Sequence, residues 1–242
     1  AARCRHPVVL HLHSGDTARW LQAKPGRAAR IQAAIEDHVT VVVVLDEAWQ
    51  DLLEPLVGSV EVVSNPVNPL HRPHAEGRRE GNRLLVMGRN APVKRRGFAV
   101  DVVRKIREKD PHVHLPLTGG QPMEGDGWTR HGWLTEAERL ALLQATDVLL
   151  LPSRFEGQPL AALEALACGV SVVADGGLVG LPDTVVRPTE DTAASWAEAI
   201  ESTLSAPHEP SALAASVSQH SVEHVAQRWS VIYAMAQQRS EP

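Results

Sequence analysis

A chain of 242 residues has room for one large domain or two small ones. Hydrophobic residues make up 43% of it but aromatics only 4%, so Ala, Val and Leu must do most of the packing, as in helix-covered parallel sheets. A net charge of −5 with both signs interspersed lacks the basic footprint of a general nucleic-acid binder and excludes that class of partner. The two cysteines, Cys4 and Cys168, stand far apart and flank no metal-spaced histidines. That argues against a disulfide scaffold and for a reducing compartment. No apolar run reaches membrane-spanning length and no signal peptide is recognisable, so the cytoplasm is the expected location. The chain begins at Ala1 without a methionine, as a processed, trimmed or partial chain would.

Along the chain, Val8–His13 reads as a buried strand, Arg27–Asp37 as a helix and Val39–Asp46 as a second buried strand. A short helix near Glu47–Leu56 and a strand at Val60–Val63 follow. Continuous apolar strands alternating with helices predict a parallel sheet covered on both faces. Pro69–Asn82 is polar and aperiodic and reads as a linker. The rhythm then restarts with a strand at Arg83–Met87, a helix at Gly97–Lys109 and a strand at Val113–Leu117 ending in Gly119-Gly120. Thr129–Trp133 reads as a short strand, and Thr135 starts a helix with Glu138 completing a capping box. Val148–Leu151, Leu160–Ala167 and Val170–Ala174 give strand, helix, strand, and Thr192–Leu204 a further helix. Ala206–Ser211 is a proline-marked break, and Ala212–Gln238 has helical periodicity. The division read from this order is residues 1–68, the linker 69–82, a second domain 83–206 and a closing helical segment 207–242.

The most informative stretch is Leu149–Ala174, LLLPSRFEGQPLAALEALACGVSVVA. A strand leads through a glycine-containing turn to a helix predicted to hold Pro159 in its first turn, where a missing N–H costs nothing. The exposed N–H groups and dipole of such a helix start suit a phosphate. Glu156 lies before the helix and Glu164 inside it, so the two carboxylates would hold hydroxyls on both sides of a bound diphosphate. A pair of glutamates at this spacing also occurs on plain solvated helices.

Other residues offer chemistry. Arg89 and Lys94, in MGRNAPVKRRG, follow the first strand of the second domain, at the carboxyl end of a parallel strand where ligands bind. Two cations there would neutralise a diphosphate leaving group, or form a solvated basic loop. Gly119 and Gly120 would let a ligand approach the backbone, or make a plain turn. Trp133 would stack on a base or fill the core. In LHLHSG, His11 and His13 share one side of a strand. A His-x-His pair suggests metal, but no third ligand has suitable spacing and there is no Asp-x-Asp motif, so no metal or other cofactor is expected.

The ordered pattern PSxxEGxPLxxLEAxAxG around Glu156 and Glu164 resembles the retaining glycosyltransferases of family 4, which carry the two-domain GT-B fold. The likeness runs from about Val8 to Tyr233 and is tightest between Leu84 and Ala174. It implies two Rossmann-type parallel sheets covered by helices, with the nucleotide sugar in the second domain and the last helix crossing back to the first. By resemblance, Glu164 binds the ribose hydroxyls, and Glu156 lies near the transferred sugar. The backbones of Gly157, Gln158 and Leu160 supply N–H donors, and Arg89 and Lys94 hold the diphosphate. His131-Gly132-Trp133-Leu134 resembles the segment that packs against the base, beside the close ligand approach that Gly120 would allow. His13 is the better match to the family's first-domain histidine, which faces the sugar across the cleft, and His11 the weaker one. The family often has glycine directly after the lysine, whereas Arg95 and Arg96 intervene here before Gly97, so either Lys94 or Arg95 would reach the phosphate.

The implied activity is transfer of a sugar from a nucleotide diphosphate donor to a hydroxyl acceptor (a lipid, a glycan or a small metabolite) with retention. The first domain departs from the family, since only about 68 residues precede the linker. The family's opening strand and glycine-rich loop have no counterpart before Val8. A small sheet with an exposed edge is expected. It fits a fragment, a shortened enzyme, or one half of an assembly in which a second copy or a partner chain completes the sheet. A binding module that holds a sugar nucleotide without transferring it is the alternative from another class. A fold-sharing epimerase fits less well, because the PSxxEG pattern points to transferases. Arg27 and Arg30 on one predicted helix would suit the inner face of an anionic membrane, or simply form a solvated face.

Overall fold

The computed structural model describes residues 6–73 and 82–240. They fall into two units. The first holds the residues up to Pro66, Phe155–Gln158 and the residues from Gln219 onward, and the second holds Val67–Arg154 and Pro159–Ser218. Most of the expected linker, residues 74–81, lies outside the described residues, as does Cys4.

The first unit starts with β1 (Val9–His11), α1 (Thr17–Gln22), α2 (Arg27–His38), β2 (Val41–Val44), α3 (Glu47–Val57) and β3 (Val60–Val62). The strands pair in parallel in the order β1-β2-β3. All four valines of β2 are buried, which is where β-branched side chains belong in a strand covered on both faces. Asp46 caps α3, its Oδ1 accepting the Trp49 N–H at 2.9 Å. The helix then buries Trp49, Leu53 and Val57, spaced four residues apart, against Val42, Val44 and Leu21. Helix α1 has no counterpart among the predicted elements. At six residues it is too short to show a helical period, and only Leu21 of it is buried.

The second unit contains β4 (Leu84–Leu85), α4 (Arg96–Arg107), β5 (Leu115–Leu117), β6 (Met123–Gly125), β7 (Trp128–Arg130) and α5 (Glu136–Gln144). It continues with β8 (Val148–Leu151), α6 (Leu160–Ala167), β9 (Ser171–Ala174), α7 (Ala193–Ser205) and α8 (Pro210–Ala215). Strands β4, β8 and β9 are parallel neighbours in that order, and bridges Arg83–His114 and Val86–Leu117 seat β5 against the far side of β4. The run is therefore β6-β7-β5-β4-β8-β9, with β6 antiparallel. Strand alternation sorts the core into two layers. Leu85, Leu149, Leu151 and Val172 meet Leu163 and Leu166 of α6 and Leu213 of α8. Leu84, Val86, Leu150 and Val173 meet Val102 and Ile106 of α4 and Trp196 and Ile200 of α7.

Three expectations need correction. The strand predicted at Thr129–Trp133 spans Trp128–Arg130, and it pairs with β6, whose three residues are exposed and show no pattern. Pro159 is the N-cap of α6 with extended backbone, φ −76° and ψ 94°, rather than a residue of its first turn. The stretch Ala212–Gln238 is not one helix: α8 begins at Pro210, a 3-10 turn covers Ser218–His220, and α9 (Val222–Ser240) follows. Pro210 is a helix start, as a residue without an N–H can be. In the first unit α9 buries Val225, Ile232 and Ala236 against Val41, Val43 and Val63.

Candidate functional site

At the carboxyl ends of β4 and β5 two glycine turns meet. Gly88 has φ +134°, and Gly119 and Gly120 have φ +73° and +94°, conformations open mainly to glycine. A Cβ on Gly119 would stand 2.7 Å from the Gly88 carbonyl oxygen, so the two backbones touch. The run Lys94-Arg95-Arg96 divides its three charges among different tasks. Arg96 donates to the carbonyls of Gly88, Thr118 and Gly119, the last at 2.7 Å, and so ties the two turns together. Burial, with the charge of Arg130 behind it, lowers the pKa of this guanidinium. Arg95 turns to Asp191, with contacts of 2.7 and 3.2 Å, and to Asp175 at 3.3 Å. Lys94 lies along Gly88 on the side a Cβ would take: its Nζ would be 3.6 Å from a Cβ placed there. Arg89, one residue past Gly88, is exposed.

Glu164 sits in α6, 7% exposed. Its Oε2 accepts from Arg139 Nη1 of α5 at 2.9 Å. Burial raises its pKa, against the opposing charges of Arg139 and His71. The carboxylate is thus oriented by a guanidinium on its neighbouring helix, with the capping box of α5 fixing where that helix starts. His71 is itself buried, its Nδ1 3.3 Å from the Asn68 carbonyl oxygen.

Glu156, Gly157 and Gln158 belong to the first unit, so the two glutamates of the motif lie in different units. A Cβ on Gly157 would meet the His13 carbonyl oxygen at 1.9 Å, and one on Gly15 the Glu156 carbonyl oxygen at 2.0 Å. Only glycines allow the Ser14-Gly15 turn and the Glu156-Gly157 peptide to lie this close. The Gly157 carbonyl accepts from Trp49 Nε1. The buried Gln158 side chain accepts from the Asn65 N–H at 2.7 Å and donates to the Leu45 carbonyl at 3.0 Å. Glu156 is half-buried and His13 exposed. His13 Nε2 lies 3.0 Å from His11 Nδ1, so the two histidines of one strand side act as a pair. His11 packs edge-on to Trp229 at 5.1 Å between ring centroids. Burial and the neighbouring His13 lower its pKa to about 4.

Trp133 is 80% exposed, which removes the core-filling alternative for it. Leu134 is half-buried and Leu160 is 44% exposed. Gly120 lies beside the Asn90 side chain, where a Cβ would stand 3.2 Å from Asn90 Cβ. Sequence reasoning missed Gly15, Arg139, Asp175 and Asp191. Gly15 had a usable signal in its place directly after His13-Ser14, but the partners of Glu164 and Arg95 are set only by tertiary packing. Among the described residues no group of three or more His, Cys, Asp or Glu is placed to hold a metal ion.

The fold these elements make is GT-B. The chain is similar to a mutant of S. aureus TarM solved with fondaparinux, alpha-GlcNAc-glycerol and UDP, with a TM-score of 0.72 and 18% identity over 94% of this chain and 50% of that one. The family model for glycosyl transferases group 1 matches residues 81–219, and the chain belongs to that family. It is 26% identical over 203 residues to a glycogen synthase of Mycobacterium tuberculosis, covering 75% of this chain and 49% of that protein. It is 32% identical over 171 residues to a D-inositol 3-phosphate glycosyltransferase of Mycobacterium leprae, covering 61% of this chain and 38% of that one. The chain thus spans half or less of the length of these curated relatives. No helix among the described residues is long and apolar enough to cross a membrane.

Proposed function

We propose that this chain binds a nucleoside-diphosphate sugar and transfers the glycosyl group, a hexosyl unit, with retention to a hydroxyl acceptor. The observation that carries this reading is the pair of touching glycine turns at the strand ends, with Lys94 lying along one of them. Bare backbone and a cation at the carboxyl edge of a parallel sheet suit a diphosphate. As the bond from the anomeric carbon to the phosphate oxygen breaks, negative charge grows on the leaving diphosphate, and Arg89 and Lys94 are the groups to stabilise it. The acceptor oxygen forms the new bond to the same carbon and passes its proton to the departing phosphate oxygen. Glu164, oriented by Arg139, offers two acceptor oxygens to vicinal ribose hydroxyls. Glu156 and His13 are assigned to the transferred sugar, and Trp133 with Leu134 to the base. Membership in the family and the likeness to a protein solved with UDP support the donor class. No metal or other cofactor enters the proposed reaction, and its place is the cytoplasm or the inner face of a membrane.

The test is thermal unfolding with UDP, GDP, ADP and TDP, on the wild type and on Glu164→Ala. A nucleotide that binds the folded state raises the midpoint by mass action. One base should give a selective shift, and loss of the ribose contacts should weaken its affinity about 10- to 100-fold. Absence of a shift with every nucleotide would sink the reading. The second reading, a binding module, is favoured by the small first-unit sheet. It predicts the same shift but no product from the matching nucleotide sugar.

A further inference from the structure

Arg95 is the one non-glycine residue with positive φ among the described residues, at φ +46° and ψ 43°. An L-residue is strained in this left-handed region, where its Cβ crowds the following carbonyl. The strain is held in place by what the side chain does. Its guanidinium makes the two contacts to Asp191 and the one to Asp175, and reaches the Pro152 carbonyl at 3.4 Å. It also lies over the Phe98 ring, 4.0 Å from its centroid. The side chains of Arg95 and Asp175 are 14% and 12% exposed, so that contact is largely shielded from water, whereas Asp191 is more open at 38%. Arg154 completes the cluster, 2.7 Å from Asp191 and 3.7 Å from Asp175. Two guanidiniums thus face two carboxylates.

The cluster joins the turn that carries Lys94 to the segment that follows β8. The backbone N–H of Arg154 donates to the Val93 carbonyl at 3.2 Å, one residue before Lys94. Asp175 is pinned independently, its N–H donating to the Leu151 carbonyl at 3.0 Å and its Oδ1 accepting from the Gly177 N–H at 2.9 Å. Arg95 is therefore fastened to a fixed point at the end of β9, and Lys94 is the residue directly before it.

We infer that Arg95 is a positioning residue rather than a phosphate ligand: its clasp on Asp175 and Asp191 sets the turn that carries Lys94 and ties it to the Pro152–Arg154 segment. The inference rests on the nucleotide-binding reading above. It follows that the diphosphate is held by Lys94, while Arg95 governs where Lys94 points.

The experiment measures affinity for a nucleoside diphosphate and for the matching monophosphate by calorimetry, in the wild type, Lys94→Ala, Arg95→Gly and Asp191→Asn. Glycine accepts the left-handed backbone, so Arg95→Gly removes the clasp without adding strain. The ratio of diphosphate to monophosphate affinity reports the β-phosphate contact, and a loss of general stability would lower both affinities together. The ratio should fall about 10-fold in Lys94→Ala, as expected for one charge-assisted contact. It should fall in the same direction in Arg95→Gly and Asp191→Asn, and the Lys94→Ala/Arg95→Gly double variant should lose little more than either single one. A wild-type ratio in both Arg95→Gly and Asp191→Asn would overturn the inference and leave the proposed function standing. If Arg95→Gly does not fold, a wild-type ratio in Asp191→Asn alone overturns it. Failure of the wild type to bind any nucleoside diphosphate would overturn both the inference and the proposed function.

Discussion

A histidine whose ring is neutral because of its surroundings makes folding sensitive to acid, and His11 is such a residue. Its folded pKa of about 4 lies below the ordinary 6.5, through burial first and the adjacent His13 second. Between those two values the unfolded chain binds more protons at this site than the folded one. The contribution of His11 to stability is therefore full above about 6.5 and declines as pH falls toward 4. His114 and His220 are shifted in the same direction, burial again leading, so the wild type retains some acid sensitivity from them. The expected outcome concerns the difference: the drop in melting temperature from pH 7 to pH 5 should be smaller in His11→Gln than in the wild type. Parallel profiles for the two proteins would show that the ring does not titrate as its setting requires. The residue scale is also where legibility ran shortest. Glu164 was visible from its spacing to Glu156, but its orienting arginine lies 25 residues away on another helix. The carboxylates that hold Arg95 are 80 and 96 residues distant, beyond any local pattern.

Among the elements, those with strong local rules were legible and those without were not. Helix α5 announced itself through Thr135-x-x-Glu138, and both hydrogen bonds of the box are present. The Glu138 N–H donates to Thr135 Oγ1 at 3.3 Å, and Glu138 Oε2 accepts from the Thr135 N–H at 2.8 Å. By contrast, β6 is exposed on all three residues and has no hydrophobic period, so nothing in the sequence marked it. The proline rules worked unevenly, because Pro159 and Pro210 each sit at a helix start, one as N-cap and the other one position inside. The cap of α5 matters beyond its own helix, since Arg139 lies in the next turn and orients Glu164. Replacing Thr135 with Ala should cost about 1 kcal/mol of stability, the usual value for an N-cap. Denaturant unfolding would show it as a lower midpoint at unchanged slope. An unchanged midpoint would mean that packing against the sheet, and not the cap, fixes where α5 begins.

At the scale of the molecule, the alternation of buried strands and helices made the GT-B architecture legible, because fully buried parallel strands read as continuous apolar runs. The residues of β8 and β9 are all buried, and each strand has pairing on both sides, β9 through the Val173–Val186 bridge. Strand β1 differs on both counts. None of its three residues is fully buried, and among the described residues it pairs on one side alone. Local opening should therefore expose β1 amides long before the rest of the molecule unfolds, whereas β8 and β9 should exchange only on global opening. Hydrogen exchange should show β1 exchanging at least about 10-fold faster than β8. Equal protection would require the outer side of β1 to be covered in solution, by a second copy or by another chain that completes the sheet. Repeating the exchange on the purified chain across a dilution series tests for the second copy, since protection by it falls with the concentration of this chain.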